Sequence, residues 1–296
     1  MKPLFIGCAT ALVTPFLKDG EIDFQCFKKL IEFQISKGVN AIVICGTTGE
    51  GSTLTVDEKL KLFETAVKTA EKRVPIIAGT GSNSTSFALN LAKEAEKVGV
   101  DAHLIVTPYY NKASQNGIIR HYFTLADNLS KPVLVYNVPS RTGVNISSET
   151  YKALAEHDNI IGVKEADPNI GKLAKSIYLT EGKLTFYIGN DDLITASASL
   201  GAKGVISVLS NIAPEFTSEM AKAAIESKTE KSASMQKNAI ALIDALFSDV
   251  NPIPIKTAMK YLGLCGDTMR LPLSPINSIE KEKLIDTTEK YKDIIY

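Results

Sequence analysis

Between residues 7 and 208 the chain repeats one pattern eight times: a short apolar run, a loop, then an amphipathic stretch, with no strand-to-strand hairpin. That repeat restricts the fold more than any other feature. Short apolar runs suit strands buried on both faces, and strands joined by helices pair in parallel through right-handed crossovers. Eight such units predict a closed (β/α)8 TIM barrel. An open doubly wound sheet is the competing architecture, but the Gly-x-Gly-x-x-Gly turn it would carry after its first strand is missing.

Local signals agree. Strands are expected over 7–14, 41–45, 76–79, 102–107, 133–136, 160–164, 184–188 and 204–208. Asp23 is placed to cap a helix whose apolar face is Phe24, Phe27, Leu30, Ile31 and Ile35. Thr55 and Glu58 have capping-box spacing, and Val74-Pro75 stops the helix that follows them. From Ala213 the pattern is helical only, so a barrel over residues 1–212 is expected to be followed by a C-terminal helical extension over 213–296.

Composition excludes several classes. With 296 residues, 45% of them hydrophobic, a sizeable core is available. Basic and acidic residues balance at 33 each, and nothing suggests nucleic acid as a partner. Cys8, Cys26, Cys45 and Cys265 form no Cys-x-x-Cys pair, which argues against a disulfide framework or a zinc knuckle and fits a reducing cytosol. Phe5-Ile6-Gly7-Cys8 has a trace of a lipoprotein cleavage site, but the stretch before it contains Pro3 and is too short for an apolar signal core. No run approaches the ~20 apolar residues of a membrane span.

Barrel chemistry sits where strands end and βα loops begin. There, the apolar run Ile160-Ile161-Gly162-Val163 ends on Lys164. Desolvation favours the neutral, nucleophilic form of an amine beside a core, and such an amine can form a Schiff base with a carbonyl. The plain alternative is a lysine marking the solvated end of a strand. Other strand ends are rich in hydroxyls: Gly46-Thr47-Thr48-Gly49-Glu50-Gly51, Thr107-Pro108-Tyr109-Tyr110-Asn111, and Tyr136-Asn137-Val138-Pro139-Ser140-Arg141-Thr142-Gly143. The first segment offers backbone N–H groups and hydroxyls to a small carboxylate, although a simple glycine-rich turn reads the same way.

Imine formation needs proton transfers, and Tyr136, Thr47 and Tyr110 make a plausible hydroxyl relay where no histidine is placed for the task. Tyr136 and Lys164 end consecutive parallel strands, only ~5 Å apart. Arg141 offers a planar partner for a second carboxylate. His103, His121 and His157 show no metal-ligand spacing, and no metal is assigned. His157 is expected to serve a helix dipole, and Asp191-Asp192 and Asp167 to cap helices.

With these segments, together with Gly162-Val163-Lys164-Glu165 and Gly204-Val205-Ile206-Ser207, nearly the whole chain resembles the pyruvate-dependent class I aldolases and lyases of the dihydrodipicolinate synthase type. The resemblance implies that Lys164 forms a Schiff base with pyruvate, and that Tyr136, Thr47 and Tyr110 relay protons. Thr48 would hold the pyruvate carboxylate, and the carbonyls of Gly189 and Ile206 would line the same pocket. Arg141 would receive the carboxylate of L-aspartate 4-semialdehyde, giving 4-hydroxy-tetrahydrodipicolinate for diaminopimelate and lysine synthesis without metal or organic cofactor.

It further implies a homo-oligomer, a dimer or a dimer of dimers, in which Tyr110 reaches a neighbouring subunit. At the lysine feedback site the chain departs from the pattern, with Val56, Lys59 and Phe87 where lysine-sensitive members place histidines and a glutamate. Weak or absent feedback is therefore expected. The alternatives are another pyruvate-dependent aldolase, such as N-acetylneuraminate lyase or a 2-keto-3-deoxy sugar acid aldolase, and a non-catalytic ligand-binding barrel. Thr47 and the Ser140-Arg141-Thr142 segment favour the synthase branch.

Overall fold

The computed structural model describes residues 2–295. Its strands are Gly7–Ala11 (β1), Ala41–Ile44 (β2), Ile76–Gly79 (β3), Ala102–Val106 (β4), Val133–Asn137 (β5), Ile160–Glu165 (β6), Thr185–Ile188 (β7) and Gly204–Ser207 (β8). All pair in parallel with their sequence neighbours, and β8 closes onto β1. This is the (β/α)8 barrel expected. β1 ends before its predicted limit because the Val13 N–H turns aside to Asn211 Oδ1, at 3.1 Å.

Alternation along each strand builds two cores. Ala9, Val43, Ile77, Leu104 and Leu134 fill the barrel, while Cys8, Ile42, Ile76, Ile105 and Val135 point outward into the layer of helices. Tyr187 seals the N-terminal end: its ring stacks on Phe5 with centroids 4.1 Å apart, and its hydroxyl donates to the Phe5 carbonyl at 2.9 Å.

The outer helices are Phe24–Ser36 (α1), Val56–Ala70 (α2), Thr85–Val98 (α3), Gln115–Asn128 (α4), the short Pro139–Thr142 (α5), Ser148–Leu154 (α6), Ile170–Thr180 (α7) and Ile194–Ser199 (α8). Asp23 caps α1, and Thr55 and Glu58 form a reciprocal capping box on α2. Asp167 does not cap α7 as expected. Pro168 delays the helix, and Asn169 takes the cap by accepting from the Lys172 N–H.

Beyond β8 come Pro214–Ile225 (α9), Thr229–Leu246 (α10), Ile253–Tyr261 (α11), Ser278–Lys290 (α12) and Lys292–Ile295 (α13). α9 packs on β1, β8 and α8, and α10 packs on α9. The loop before α11 and the chain after it return to the open end of the barrel, and that return shapes the site. Among the described residues no helix is long and apolar enough to cross a membrane.

Candidate active site

Tyr136 and Lys164 are register partners on β5 and β6. Lys164 Nζ lies 4.6 Å from the centroid of the Tyr136 ring, and both side chains are buried. Among the described residues Lys164 makes no hydrogen bond or ion pair, so its amine is held by packing alone. Gly189, just after β7, leaves room for it. A Cβ there would sit 2.9 Å from Lys164 Cε and 3.0 Å from the Ala166 Cβ.

Tyr136 opens into a cavity of about 750 Å³ that Thr47, Tyr109 and Arg141 also line. Ile206 is wholly buried inside the barrel, in the same apolar cluster as Tyr136. Thr48 is buried too, and its hydroxyl accepts from Asn251 Nδ2 at 2.9 Å. Arg141, exposed at the rim, donates from Nη2 to the Asn251 carbonyl at 3.2 Å. Tyr110 is not brought to the others: it is 89% exposed and has a left-handed backbone, φ 72°.

An aromatic residue with positive φ is a backbone outlier that surrounding structure must sustain. Within one chain the expected residues brought together are therefore Lys164 beside Tyr136 and Thr47 on the same cavity wall as Tyr136, with Thr48 and Arg141 joined through Asn251. This combination of a buried amine and a neighbouring phenol at the open end of a barrel suits imine chemistry.

The family model for the dihydrodipicolinate synthetase family matches residues 4–291. The chain belongs to that family. It is 44% identical over 289 residues to the 4-hydroxy-tetrahydrodipicolinate synthase of Geobacter metallireducens, covering 98% of this chain and 99% of the relative. Among solved structures it is similar to dihydrodipicolinate synthase from Aquifex aeolicus, with TM-score 0.96, 40% identity, and 98% and 99% of the two chains covered. It is also similar to the pyruvate complex of the Acinetobacter baumannii dihydrodipicolinate synthase, with TM-score 0.95, 41% identity and the same coverage.

In this member of the dihydrodipicolinate synthetase family the strand ends are fastened from behind. Glu165 points away from Lys164 into the helical layer, where its carboxylate accepts from Asn137 Nδ2 (2.7 Å), the Tyr151 hydroxyl (2.7 Å) and the Asp167 N–H (2.9 Å). Burial and the adjacent Glu165 push the Tyr151 hydroxyl well above its usual range, so it stays a donor. Lys172 adds a cation at 3.5 Å from Glu165 and 3.1 Å from Asp167.

A second fastening holds the Thr47-Thr48 loop. Glu50, φ 54°, is buried and pairs with Lys256 of α11 at 2.6 Å, while its other oxygen accepts the Arg270 N–H at 3.1 Å. Sequence reasoning missed Asn137, Glu165, Glu50, Asn251 and Lys256 as supports. Three of them, Asn137, Glu165 and Glu50, lie within the segments quoted for the candidate residues, and an acid buried at a strand end signals a partner elsewhere in the chain.

Two further expectations change. Asp191 does not cap a helix of its own; its Oδ2 accepts the N–H groups of Val208 and Leu209, each at 2.9 Å, and so braces the turn after β8. Burial pushes its carboxyl up from the ordinary range. His157 does not serve a helix dipole either: its Nε2 pairs with Asp127 at 3.0 Å, and its Nδ1 accepts from the Asn159 N–H.

Proposed function

We propose that the protein is a Schiff-base lyase that condenses pyruvate with L-aspartate 4-semialdehyde to give 4-hydroxy-tetrahydrodipicolinate, in diaminopimelate and lysine synthesis. The observation that carries this reading is the unpaired, buried Lys164 amine set against the Tyr136 ring. The names of the relatives support the choice of substrates.

In this mechanism the Lys164 amine attacks the keto carbon of pyruvate, and the carbinolamine loses water to give an imine. Tyr136 supplies and recovers the protons, handing them along Thr47 and Tyr110. Because Tyr110 is so exposed in one chain, the proposal has it enter from a neighbouring copy in a homo-oligomer. Thr48 and backbone groups around Gly189 and Ile206 hold the pyruvate carboxylate.

Removal of a proton from the methyl carbon turns the imine into an enamine, which forms the new carbon–carbon bond to the aldehyde. The aldehyde oxygen takes up a proton and becomes the hydroxyl. The substrate's amine then attacks the imine carbon, closes the ring and releases Lys164. Arg141 anchors the second carboxylate through a bidentate contact.

In this reading residues 1–212 carry the reactive groups, and 213–296 brace their loops. A cytoplasmic setting agrees with four cysteines that remain free thiols. Lys59 and Phe87 face the cavity, where they would repel or fail to bind an added ammonium. A titration with L-lysine should leave the rate nearly unchanged.

Borohydride reduction in the presence of pyruvate, followed by peptide mapping, tests the mechanism. The adduct is expected on Lys164. An active sample in which that peptide stays unlabelled would overturn the reading.

A further inference from the structure

Asn251 stands just before α11 and reaches both of the groups assigned above to substrate carboxylates. Its side-chain Nδ2 donates to the Thr48 hydroxyl at 2.9 Å, and its main-chain carbonyl accepts from Arg141 Nη2 at 3.2 Å. The residue is 7% exposed. The turn that carries it is closed by the Ile253 N–H on the Val250 carbonyl, at 2.8 Å.

The Thr48 loop does not need this bond to keep its path. Thr14 Oγ1 donates to the Gly49 carbonyl at 2.6 Å, and Glu50 is paired with Lys256. What the bond does set is the direction of one proton. A threonine hydroxyl has one O–H to give and two lone pairs to receive with. Asn251 Nδ2 occupies a lone pair, and among the described residues the hydroxyl has no other hydrogen-bond partner. Its O–H is therefore free to be given to an anion.

The far end of the amide points the same way. Asn251 Oδ1 is buried with no partner among the described residues. Turned end for end, the amide would present Oδ1 to Thr48 and take the hydroxyl proton for itself. The orientation observed leaves an acceptor unsatisfied and keeps Thr48 a donor.

We propose that Asn251 is a positioning residue for the first substrate: by donating to the Thr48 hydroxyl, it holds that hydroxyl as a donor to the ketoacid carboxylate. The inference rests on the function proposed above and deepens it, since it makes the polarity of Thr48, and not only its place, the property that selects a carboxylate. Asn251 acts through Thr48 and moves no proton in the reaction.

The test follows borohydride labelling of Lys164 against pyruvate concentration in the assembled wild-type protein, Asn251→Leu, Asn251→Asp and Thr48→Val, with melting midpoints recorded for each. Asn251→Leu removes the donor without adding charge, and half-saturation by pyruvate should rise about tenfold, the loss of one hydrogen bond serving an anion. Asn251→Asp keeps the shape, but at about pH 8, where an aspartate is ordinarily ionised, it takes the Thr48 proton and sets a like charge near the substrate. The rise there should be roughly a hundredfold. Labelling at saturating pyruvate should reach the wild-type level in both. In turnover by Asn251→Leu, half-saturation by L-aspartate 4-semialdehyde should not move, because the Arg141 contact is to the main chain.

Beside Thr48→Val, Asn251→Leu should add nothing further. A residue that only braced the loop would give the opposite pattern: the isosteric Asp variant milder than Leu, and a Leu effect that persists beside Thr48→Val. Either result would overturn the proposal, as would unchanged half-saturation in both single variants. If Asn251→Leu melts too low to assay, Asn251→Asp still decides, since a wild-type half-saturation there removes the role. A wild type that traps no pyruvate on Lys164 is a different failure: it overturns the function itself, and the part given to Asn251 with it.

Discussion

Asn137 Nδ2 donates to Glu165 Oε1 at 2.7 Å, and the two residues are register partners one step beyond Tyr136 and Lys164. Alternation puts this pair outside the barrel and the Tyr136–Lys164 pair inside it. The bond fixes where β5 and β6 end, and with them the separation of amine and phenol. Glu165→Ala strips the acceptor from three donors, two of them buried, and leaves Lys172 short of an anion, so it should cost about 3 kcal/mol or more. Urea denaturation measures the loss, and kcat should fall with it as the strand ends slacken. A variant with wild-type stability and rate would show that the strand ends are held by other means.

Tyr136→Phe keeps the ring that packs under Lys164 and removes only the hydroxyl. The fold should survive, the pyruvate adduct should still form slowly, and kcat should drop by about 10²- to 10⁴-fold, the usual worth of a positioned acid–base group. Lys164→Ala should give no adduct at all. Rapid-quench trapping with borohydride separates the two outcomes, and undiminished turnover in Tyr136→Phe would take tyrosine out of the relay.

Glu58 couples acidity to the same end of the barrel. Its hydrogen bond to Arg270 holds the carboxyl down to about 2, against desolvation that raises it. A carboxyl whose folded pKa is depressed adds stability above its unfolded pKa and loses it as pH falls through the folded value. The loss should therefore run from about pH 4.5 down to about pH 2. Partial exposure and solvent screening limit the effect to about 1–2 kcal/mol. Urea midpoints measured across that window should fall less steeply for Glu58→Gln than for wild type; parallel curves would contradict the assignment.

The barrel was legible because its signals are local: apolar runs of strand length, caps such as Asp23 and Thr55, and short loops between them. Tyr136 beside Lys164 was legible too, since consecutive strands in a parallel barrel must be neighbours. What could not be read was contact over long sequence separation. Asn251 lies 203 residues from Thr48 and Lys256 lies 206 from Glu50, yet each pair is in hydrogen-bond contact. Asp191 misled for the same reason: two acids before a helix look like a cap, while the N–H groups that this carboxylate meets belong to the turn after the next strand.

The Glu50–Lys256 pair tests whether the C-terminal helices act on the site or only cover it. Both side chains are wholly buried, 2.6 Å apart, and Lys256 also donates to the carbonyls of Thr14 (3.0 Å) and Thr268 (2.6 Å). Lys256→Met leaves the Glu50 carboxylate buried without its cation, which should cost about 3–5 kcal/mol. Adding Glu50→Gln should recover a large part of that loss, because the remaining partners are then neutral.

Stability and function should then part company. The doubly substituted protein regains its fold, but the loop that carries Thr47 and Thr48 has lost its anchor to α11, so the KM for pyruvate should stay raised while borohydride still labels Lys164. A double-mutant cycle in urea, with KM measured on each protein, reads both effects. If KM returned to the wild-type value along with stability, the buried pair would be holding the protein together without shaping the pyruvate site.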